Sequence, residues 1–244
     1  MPTCITVFNS SPRKENGVSH LMTERFLKGA RAVGAETDHI LLADKKIRHC
    51  IGCFSCWFKT PGVCVFKDDE AELLRRYMES DIVVLAGPVY VGSVSGIMKD
   101  FIDRMLPLYD PHFGRDDQGR FYHLSRYDHC PDIVAMANCG LPSQHHFTYY
   151  RQILEFMKEV YRINLIAEIY CGGGFILKGY LPEAQNKVDV YMDVLEQCGR
   201  EIVNTRTLSP STRAALVEPF IDVEEGVETS NQVVDALLEG IEEE

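Results

Sequence analysis

The chain predicts a doubly wound α/β fold in which one parallel sheet of five strands is covered by helices on both faces. Three observations predict it. Short apolar runs alternate with helical patterns through most of the 244 residues. The clearest run, Ile82 to Ala86, is apolar on both faces, as a strand buried on both sides must be. Right-handed crossovers then leave the doubly wound arrangement as the way to connect such units.

The elements follow in order. Ile5–Phe8 reads as the first strand, and Met22, Phe26, Ala30 and Val33 share one face of the helix after it. His39–Leu42 is the second strand, 48–68 a cysteine-rich excursion, and Asp69–Glu79 a short helix. After the strand at Ile82–Ala86, a helix over 95–106 carries Met98, Phe101, Ile102 and Met105 on one side. Ile133–Ala137 is the fourth strand, and a helix over 145–161 places Ile153, Met157 and Val160 in register. Leu165–Tyr170 is the fifth strand, and 182–204 a long helix with Val188, Met192, Leu195 and Ile202. Pro107–Cys130 is expected to be a long irregular connection, aromatic at Tyr109, Phe113, Phe121, Tyr122 and Tyr127, with His112, His123 and His129 as polar cover. Residues 1–204 are expected to form the domain and 205–244 an acidic, helical extension that is not an independent domain. In that extension Ser230 is expected to cap a last helix with Val233, Val234, Leu237, Leu238 and Ile241 apolar, before a solvated Glu242-Glu243-Glu244 end.

Composition excludes several classes. A net charge of −11 argues against nucleic acid and against an anionic membrane surface. No apolar run approaches the length of a transmembrane helix. Met1-Pro2-Thr3-Cys4 leads straight into a strand, so no signal peptide is expected and the cytoplasm is the expected compartment. The nine cysteines then read as thiols or metal ligands rather than disulfides.

In doubly wound sheets ligands bind beyond the carboxyl ends of the strands. The first such loop is Asn9 to Ser19. The hydroxyls of Ser10, Ser11 and Ser19 can donate to phosphate oxygens, Arg13 and Lys14 add positive charge, and the start of the next helix adds its own field. There is neither a GxxxxGK[ST] nor a GxGxxG pattern, so the loop suits a phosphate monoester, not a triphosphate or a pyrophosphate. After the third strand, Pro88, Val89, Tyr90, Val91 and Gly92 offer close backbone approach and a ring to lie against a flat ligand, with Ser93 and Ser95 expected to cap the helix beyond. Cys139-Gly140 is a small-residue turn at the same edge, and Cys171 to Gly174 is another. His145-His146 reads as a solvated helix start.

These loops carry a resemblance. The first is similar to the Gly-Ser-Pro-Arg-Lys-x-Gly-Asn-Thr-Ser loop of flavodoxin-like, NAD(P)H-dependent FMN reductases, which wraps the FMN phosphate; Asn9 stands where glycine is usual. Pro88-x-Tyr90-x-Gly92, with Ser95, Lys99, Phe101, Asp103 and Arg104 downstream, resembles the loop that in this family bears on the isoalloxazine ring. The Cys139-Gly140 turn matches too. Lys99, Asp103 and Arg104 are equally suited to tying their helix to its neighbours. The resemblance covers about residues 4–204. It implies a three-layer, flavodoxin-like fold with FMN held by Ser10, Ser11, Arg13 and Ser19 at the phosphate and by Pro88–Gly92, Cys139 and Gly140 at the ring.

The cysteine excursion places Cys50, Cys53, Cys56 and Cys64 within fifteen positions, with Pro61-Gly62 letting the chain fold back. The CxxCxxC-x₇-C spacing resembles the compact motif of iron–sulfur flavoproteins, which implies a [4Fe–4S] cluster beside FMN. A Cys₄ zinc site and a cluster-free loop of thiols packed with Trp57 and Phe58 stay open. Cys4, Cys130, Cys139, Cys171 and Cys198 read mostly as small core residues.

The expected function is an FMN-dependent NAD(P)H oxidoreductase. It passes electrons from nicotinamide through FMN to a quinone, a flavin or another small-molecule or protein acceptor. The flavin carries the chemistry, so no catalytic side chain is required of the protein. A non-enzymatic flavodoxin-type or iron–sulfur electron carrier, and a zinc-stapled interaction protein, are the competing readings. The aromatic connection and the last helix carry apolar surface that a homodimer or larger homo-oligomer would bury.

Overall fold

The computed structural model describes residues 1–179 and 181–242. In chain order the elements are β1 (Cys4–Asn9), α1 (Val18–Arg31), β2 (Glu36–Leu41), α2 (Ser55–Phe58), α3 (Glu70–Glu79), β3 (Ile82–Pro88), α4 (Gly96–Asp103), β4 (Tyr109–Arg115), β5 (Phe121–Ser125), β6 (Asp132–Asn138), α5 (Thr148–Val160), β7 (Asn164–Cys171), α6 (Gln185–Thr205), α7 (Pro210–Leu216) and α8 (Val223–Glu242). Strands β2-β1-β3-β6-β7 form one five-stranded sheet in that order, every neighbouring pair parallel. This is the doubly wound, flavodoxin-like order.

The two faces of the sheet divide its side chains with a period of two. Ile5, Val7, Ile82, Val84, Ala86, Val134 and Met136 pack on one side with Met22, Phe26 and Ala30 of α1 and Val188, Leu195 and Ile202 of α6. Phe8, Val83, Leu85 and Ile133 face the other way, against Leu73 and Tyr77 of α3 and Met98 and Phe101 of α4. Ala135 and Ala137 meet Tyr150 and Leu154 of α5. On the first face α1 and α6 touch backbone to backbone. A Cβ at Gly29 would lie 1.8 Å from the Glu196 carbonyl oxygen, and one at Gly199 would lie 2.0 Å from that of Phe26.

Three expectations are corrected. Pro107–Cys130 is not an irregular connection: Tyr109–Arg115 and Phe121–Ser125 pair as an antiparallel hairpin. Pro111, Gly114 and the interspersed histidines hide its strands from a search for aliphatic runs. The last helix begins at Val223, not after Ser230, because the Asp222 carboxylate accepts from the N–H groups of Glu224 and Glu225. The side chains of Ser230, Val233, Leu237 and Ile241, and the last two glutamates of the Glu242-Glu243-Glu244 end, lie outside the described residues. The C-terminal segment also holds an unforeseen helix, α7, whose signature is Ser209 accepting from the Thr212 N–H with Pro210 at the first helical position. Leu208, Leu216, Phe220 and Ile221 return to the first-face core.

On the second face Arg104 closes the cysteine loop at its base. It is buried, donates from both terminal nitrogens to the Asp68 carboxylate at 2.9 Å each, and donates to the Arg48 carbonyl at 2.8 Å. The two ends of the 48–68 excursion are thus held by one guanidinium, which lies over the Phe66 ring. The Arg104 hydrogen bond is the main reason the Asp68 carboxyl stays below its ordinary range. Glu70 sits beside this pair, fully buried, and neither of its carboxyl oxygens has a hydrogen-bond partner among the described residues. Burial pushes it up to about 8, the charge of Arg104 opposing and those of Asp68 and Asp100 adding to the rise.

Two outcomes follow from this packing. Gly199→Ala should destabilise the chain by about 1–3 kcal/mol in urea unfolding. Alanine is the better helix former by about 1 kcal/mol, so a neutral or stabilising result would contradict the backbone contact of α1 and α6. Glu70 has a folded pKa raised above the ordinary 4.5. In the window between 4.5 and about 8 the folded chain holds a proton that the unfolded chain has lost, so stability falls as pH rises. Glu70→Gln should remove that decline, on the order of a few kcal/mol. Equal pH slopes for the two proteins would show that Glu70 is not held in a raised state.

Candidate functional site

The sheet register brings the loops of interest to one line. Asn9 pairs with Ala86, and Pro88, Asn138 and Cys171 lie side by side across β3, β6 and β7. The chain therefore leaves these strands at a shared carboxyl edge.

The first loop wraps the start of α1. Ser10, Ser11 and Ser19 are all buried, whereas Arg13 and Lys14 are exposed. Ser10 is the joint between loops: its N–H and its hydroxyl both donate to the Ala86 carbonyl, at 2.8 and 3.2 Å, and the hydroxyl accepts from Ser95 at 3.0 Å. Gly87 makes room for this, since a Cβ there would meet the Ser10 oxygen at 2.1 Å. Ser19 accepts from the Asn138 side-chain amide at 2.7 Å, which leaves its own proton to donate. The Ser11 hydroxyl makes no hydrogen bond among the described residues and lies over Gly17, where a Cβ would come within 2.2 Å of it. Gly17 is also the N-cap of α1, and no side chain caps this end. The first N–H groups of the helix, unpaired by geometry, open into the turn with a hydroxyl at hand. Lys14 is engaged by Asp44, so Arg13 is the uncommitted cation of the loop. The arrangement fits a phosphate monoester through neutral donors more than through charge.

The second loop begins with the Val89 N–H donating to the Asn138 carbonyl at 2.8 Å, which joins it to β6. Tyr90 and Ser93 exchange backbone hydrogen bonds around a tight turn. At its tip Val91 is fully exposed at φ +51°, and Gly92 at φ +72° lies against the Tyr149 ring. A β-branched residue in the left-handed region stores backbone strain, which collects at functional loops. Tyr90 is half exposed and free to cover a flat ligand. Ser95 does cap α4, accepting from the Met98 N–H, while Ser93 serves the turn instead. On β6, the Cys139 backbone is held by Cys171 and Gly174, and its thiol donates to the Leu141 carbonyl at 3.1 Å. A Cβ on Gly140 would meet nothing, so the edge is open there.

Sequence reasoning missed Gly17, Gly87 and Asn138. The two glycines stand where only the absence of a Cβ lets a serine reach its place, and Asn138 is the polar last residue of an apolar strand. Of the charged residues downstream, Lys99 and Asp103 pair with each other at 2.6 Å and Arg104 holds Asp68, so these tie structure together.

The cysteine loop lies on α4 and the hairpin. The Trp57 indole donates to the Leu106 carbonyl at 3.2 Å, and its ring meets His123. Trp57 is buried as expected, whereas Phe58 is exposed. Cys56 is buried, Cys64 partly so, and Cys50 and Cys53 are exposed. Burial raises the Cys56 thiol first, and the charges of Cys64, Cys53 and Cys50 raise it further. Among the described residues, the four sulfurs do not form a group whose ligand atoms lie within 4.8 Å of one another. A tetrahedral zinc with sulfur at about 2.3 Å needs them at roughly 3.8 Å. Arg104 is close enough for Cys64 to favour its charge. A cavity of about 850 Å³ opens along Cys64, Phe66, Leu74, Tyr127 and His129. Of the scattered cysteines, Cys171 and Cys198 are core residues, Cys4 and Cys139 are half-buried and Cys130 is exposed.

Comparisons with known proteins place these features. Residues 3–117 match the model of the NADPH-dependent FMN reductase family, a stretch that holds the phosphate loop, the cysteine loop and the Tyr90 loop. An iron–sulfur flavoprotein of Archaeoglobus fulgidus is 45% identical over 97 residues, covering 40% of this chain and 43% of the relative. Another, from Methanocaldococcus jannaschii, is 41% identical over 100 residues, covering 41% of this chain and 50% of the relative. The match thus spans half or less of these relatives' length. Among solved structures, an NAD(P)H:quinone oxidoreductase from Methanothermobacter marburgensis superposes with a TM-score of 0.58 at 13% identity, over 83% of this chain and 98% of that one. An FMN-dependent NADH-azoreductase from Bacillus anthracis, in complex with FMN, does so with 0.58 at 14% identity, over 83% and 100%. At such identities these two establish the fold alone. The first half of the chain therefore matches the family and the subgroup its loops resemble, the NADPH-dependent FMN reductases and, among them, the iron–sulfur flavoproteins.

Proposed function

We propose that this protein is an FMN-dependent oxidoreductase that draws on NADH or NADPH and passes electrons to a quinone, a flavin or another acceptor. The observation that carries this reading is the uncapped start of α1, where Gly17, Ser11 and Ser19 leave a buried, neutral-donor pocket for one phosphate at the same sheet edge as Tyr90 and Gly140. FMN, when bound, supplies the acceptor for hydride from the nicotinamide. The protein's own part is to hold and orient. Ser11 and Ser19, with Arg13 behind them, would hold the phosphate, and Ser10 would fix their loop from β3. Pro88 to Gly92, Cys139 and Gly140 would border the ring. Cys50, Cys53, Cys56 and Cys64 would hold a [4Fe–4S] cluster.

One observation favours a second use of the same site. Cys50 and Cys53 are exposed on an acidic chain, which suits delivery of electrons to a basic protein partner. An electron carrier would differ in needing that partner before NADPH could bleach the flavin.

Protein purified without oxygen should show a flavin spectrum, release FMN rather than FAD on heating, and contain iron and sulfide that Cys56→Ser abolishes. Ser11→Ala should weaken FMN binding by roughly 1.5–3 kcal/mol, the worth of a hydrogen bond to a charged group. A colourless protein, or unchanged FMN affinity in Ser11→Ala, would overturn the phosphate assignment; flavin without iron would overturn only the cluster.

The same reading includes a homodimer. Phe54, Phe58 and Val63 of the cysteine loop and Phe113, Phe121 and Tyr127 of the hairpin region are all exposed. Monomers seldom leave such apolar surface open. Light scattering at micromolar concentration should give the mass of a dimer or a larger closed oligomer, and a monomer mass would refute it.

A further inference from the structure

We propose that His20, Glu24 and His39 form a binding site for a zinc-class divalent cation between α1 and β2. A ring nitrogen of each histidine and a carboxylate oxygen of Glu24 lie within 4.8 Å of one another. His20 and Glu24 are one helical turn apart on α1 and so share a face. His39 comes from β2, beside Val7 of β1, and its ring stacks on that of His20 with centroids 4.9 Å apart. Two imidazoles and one carboxylate are a donor set for zinc, nickel or cobalt, with a remaining position for water.

A plain hydrogen-bond network accounts for part of this. His39 Nδ1 lies 2.8 Å from Glu24 Oε1, and its Nε2 lies 3.1 Å from the Asn9 amide nitrogen. That leaves His20 unexplained. Its Nδ1 is buried and has no hydrogen-bond partner among the described residues, and its ring lies against that of His39. A shared cation gives it one.

Glu24, as a carboxylate, accepts from His39, which places the ring proton on Nδ1. When the cation takes the place between them, the ring proton moves from Nδ1 to Nε2 and no proton is released. Nε2–H then needs an acceptor, and the contact with Asn9 is exchanged for one with Thr23. The Thr23 oxygen lies 3.3 Å from Nε2, and its own proton goes to the carbonyl of Ser19 or His20, at 2.9 Å each. This is the outer hydrogen bond that orients a metal-bound histidine.

The test is calorimetric titration of Zn²⁺ into the full-length protein and into His20→Ala, Glu24→Gln and Thr23→Val. All keep the cysteine loop, so a difference between them belongs to the triad. His20 is partly exposed, and its replacement leaves the core intact. The wild type should bind a full equivalent more than His20→Ala or Glu24→Gln. Thr23→Val should keep that equivalent with about tenfold weaker affinity. With Co²⁺ in place of Zn²⁺, the equivalent lost in His20→Ala should lack the intense sulfur-to-cobalt absorption of a thiolate site. Equal zinc uptake by wild type and His20→Ala would overturn the proposal. So would a thiolate band on the equivalent that His20→Ala loses.

Discussion

The Ser10 hydroxyl is the point on which the site depends. It joins the end of β1 to the Ala86 carbonyl of β3 and to the Ser95 hydroxyl that caps α4. A loop that must present N–H groups to an anion cannot hold its shape by using those same groups. Here its shape comes from one buried hydroxyl, from Gly87 leaving room for it, and from the Asn9 carboxamide accepting the Ser11 N–H at 2.9 Å. The start of α1 is then free of internal obligations. Ser95 and Ser209 cap their helices in the ordinary way, and Gly17 does not. The difference separates helix starts that only end a turn from one left open to bind.

The second face shows the opposite economy. Arg104 is committed wholly to structure, with Asp68 and the Arg48 carbonyl fixing both ends of the cysteine loop. Between those ends the loop is open: Gly52 meets nothing nearby, and Phe54 takes a left-handed conformation at φ +52°. A closed base holds the loop that carries the four thiols, while its tip stands clear of the rest of the chain. Burial of Cys56 and exposure of Cys50 and Cys53 give the site an inner and an outer side.

The fold was legible because its signal is cooperative. The inner strands of the parallel sheet are apolar runs buried on both faces, and Ile82 to Ala86 identified the centre; β2, at the edge, is polar and only partly buried. The hairpin at Tyr109–Ser125 was not legible, since its strands are half-exposed, carry proline, glycine and histidine, and bury little that would show as periodicity. For the candidate site, the sequence could offer residues whose side chains carry chemistry, Ser11, Ser19, Tyr90 and the cysteines, as expectations. It could not offer positions that matter through missing atoms. Nothing in the letters says that Gly17 and Gly87 each stand within bonding range of a serine oxygen once a Cβ is imagined. Asn9 shows the same limit from the other side. It stands where the family has glycine, and only the structure reveals that its side chain reaches both Ser11 and His39.

Charge counted over the whole chain does not decide whether an anion suits the start of α1. The net −11 lies on a surface where fields fade over about 8 Å at physiological ionic strength. The phosphate turn is buried, and a hydrogen-bond donor there acts in a lower dielectric, where it is worth more than a surface lysine. Lys14 illustrates the point, since Asp44 has already neutralised it. What remains is the field of a helix start, two serine hydroxyls and one arginine, a set that discriminates by geometry. On the proposed reading, such a set would favour a dianionic monoester that fits between fixed donors.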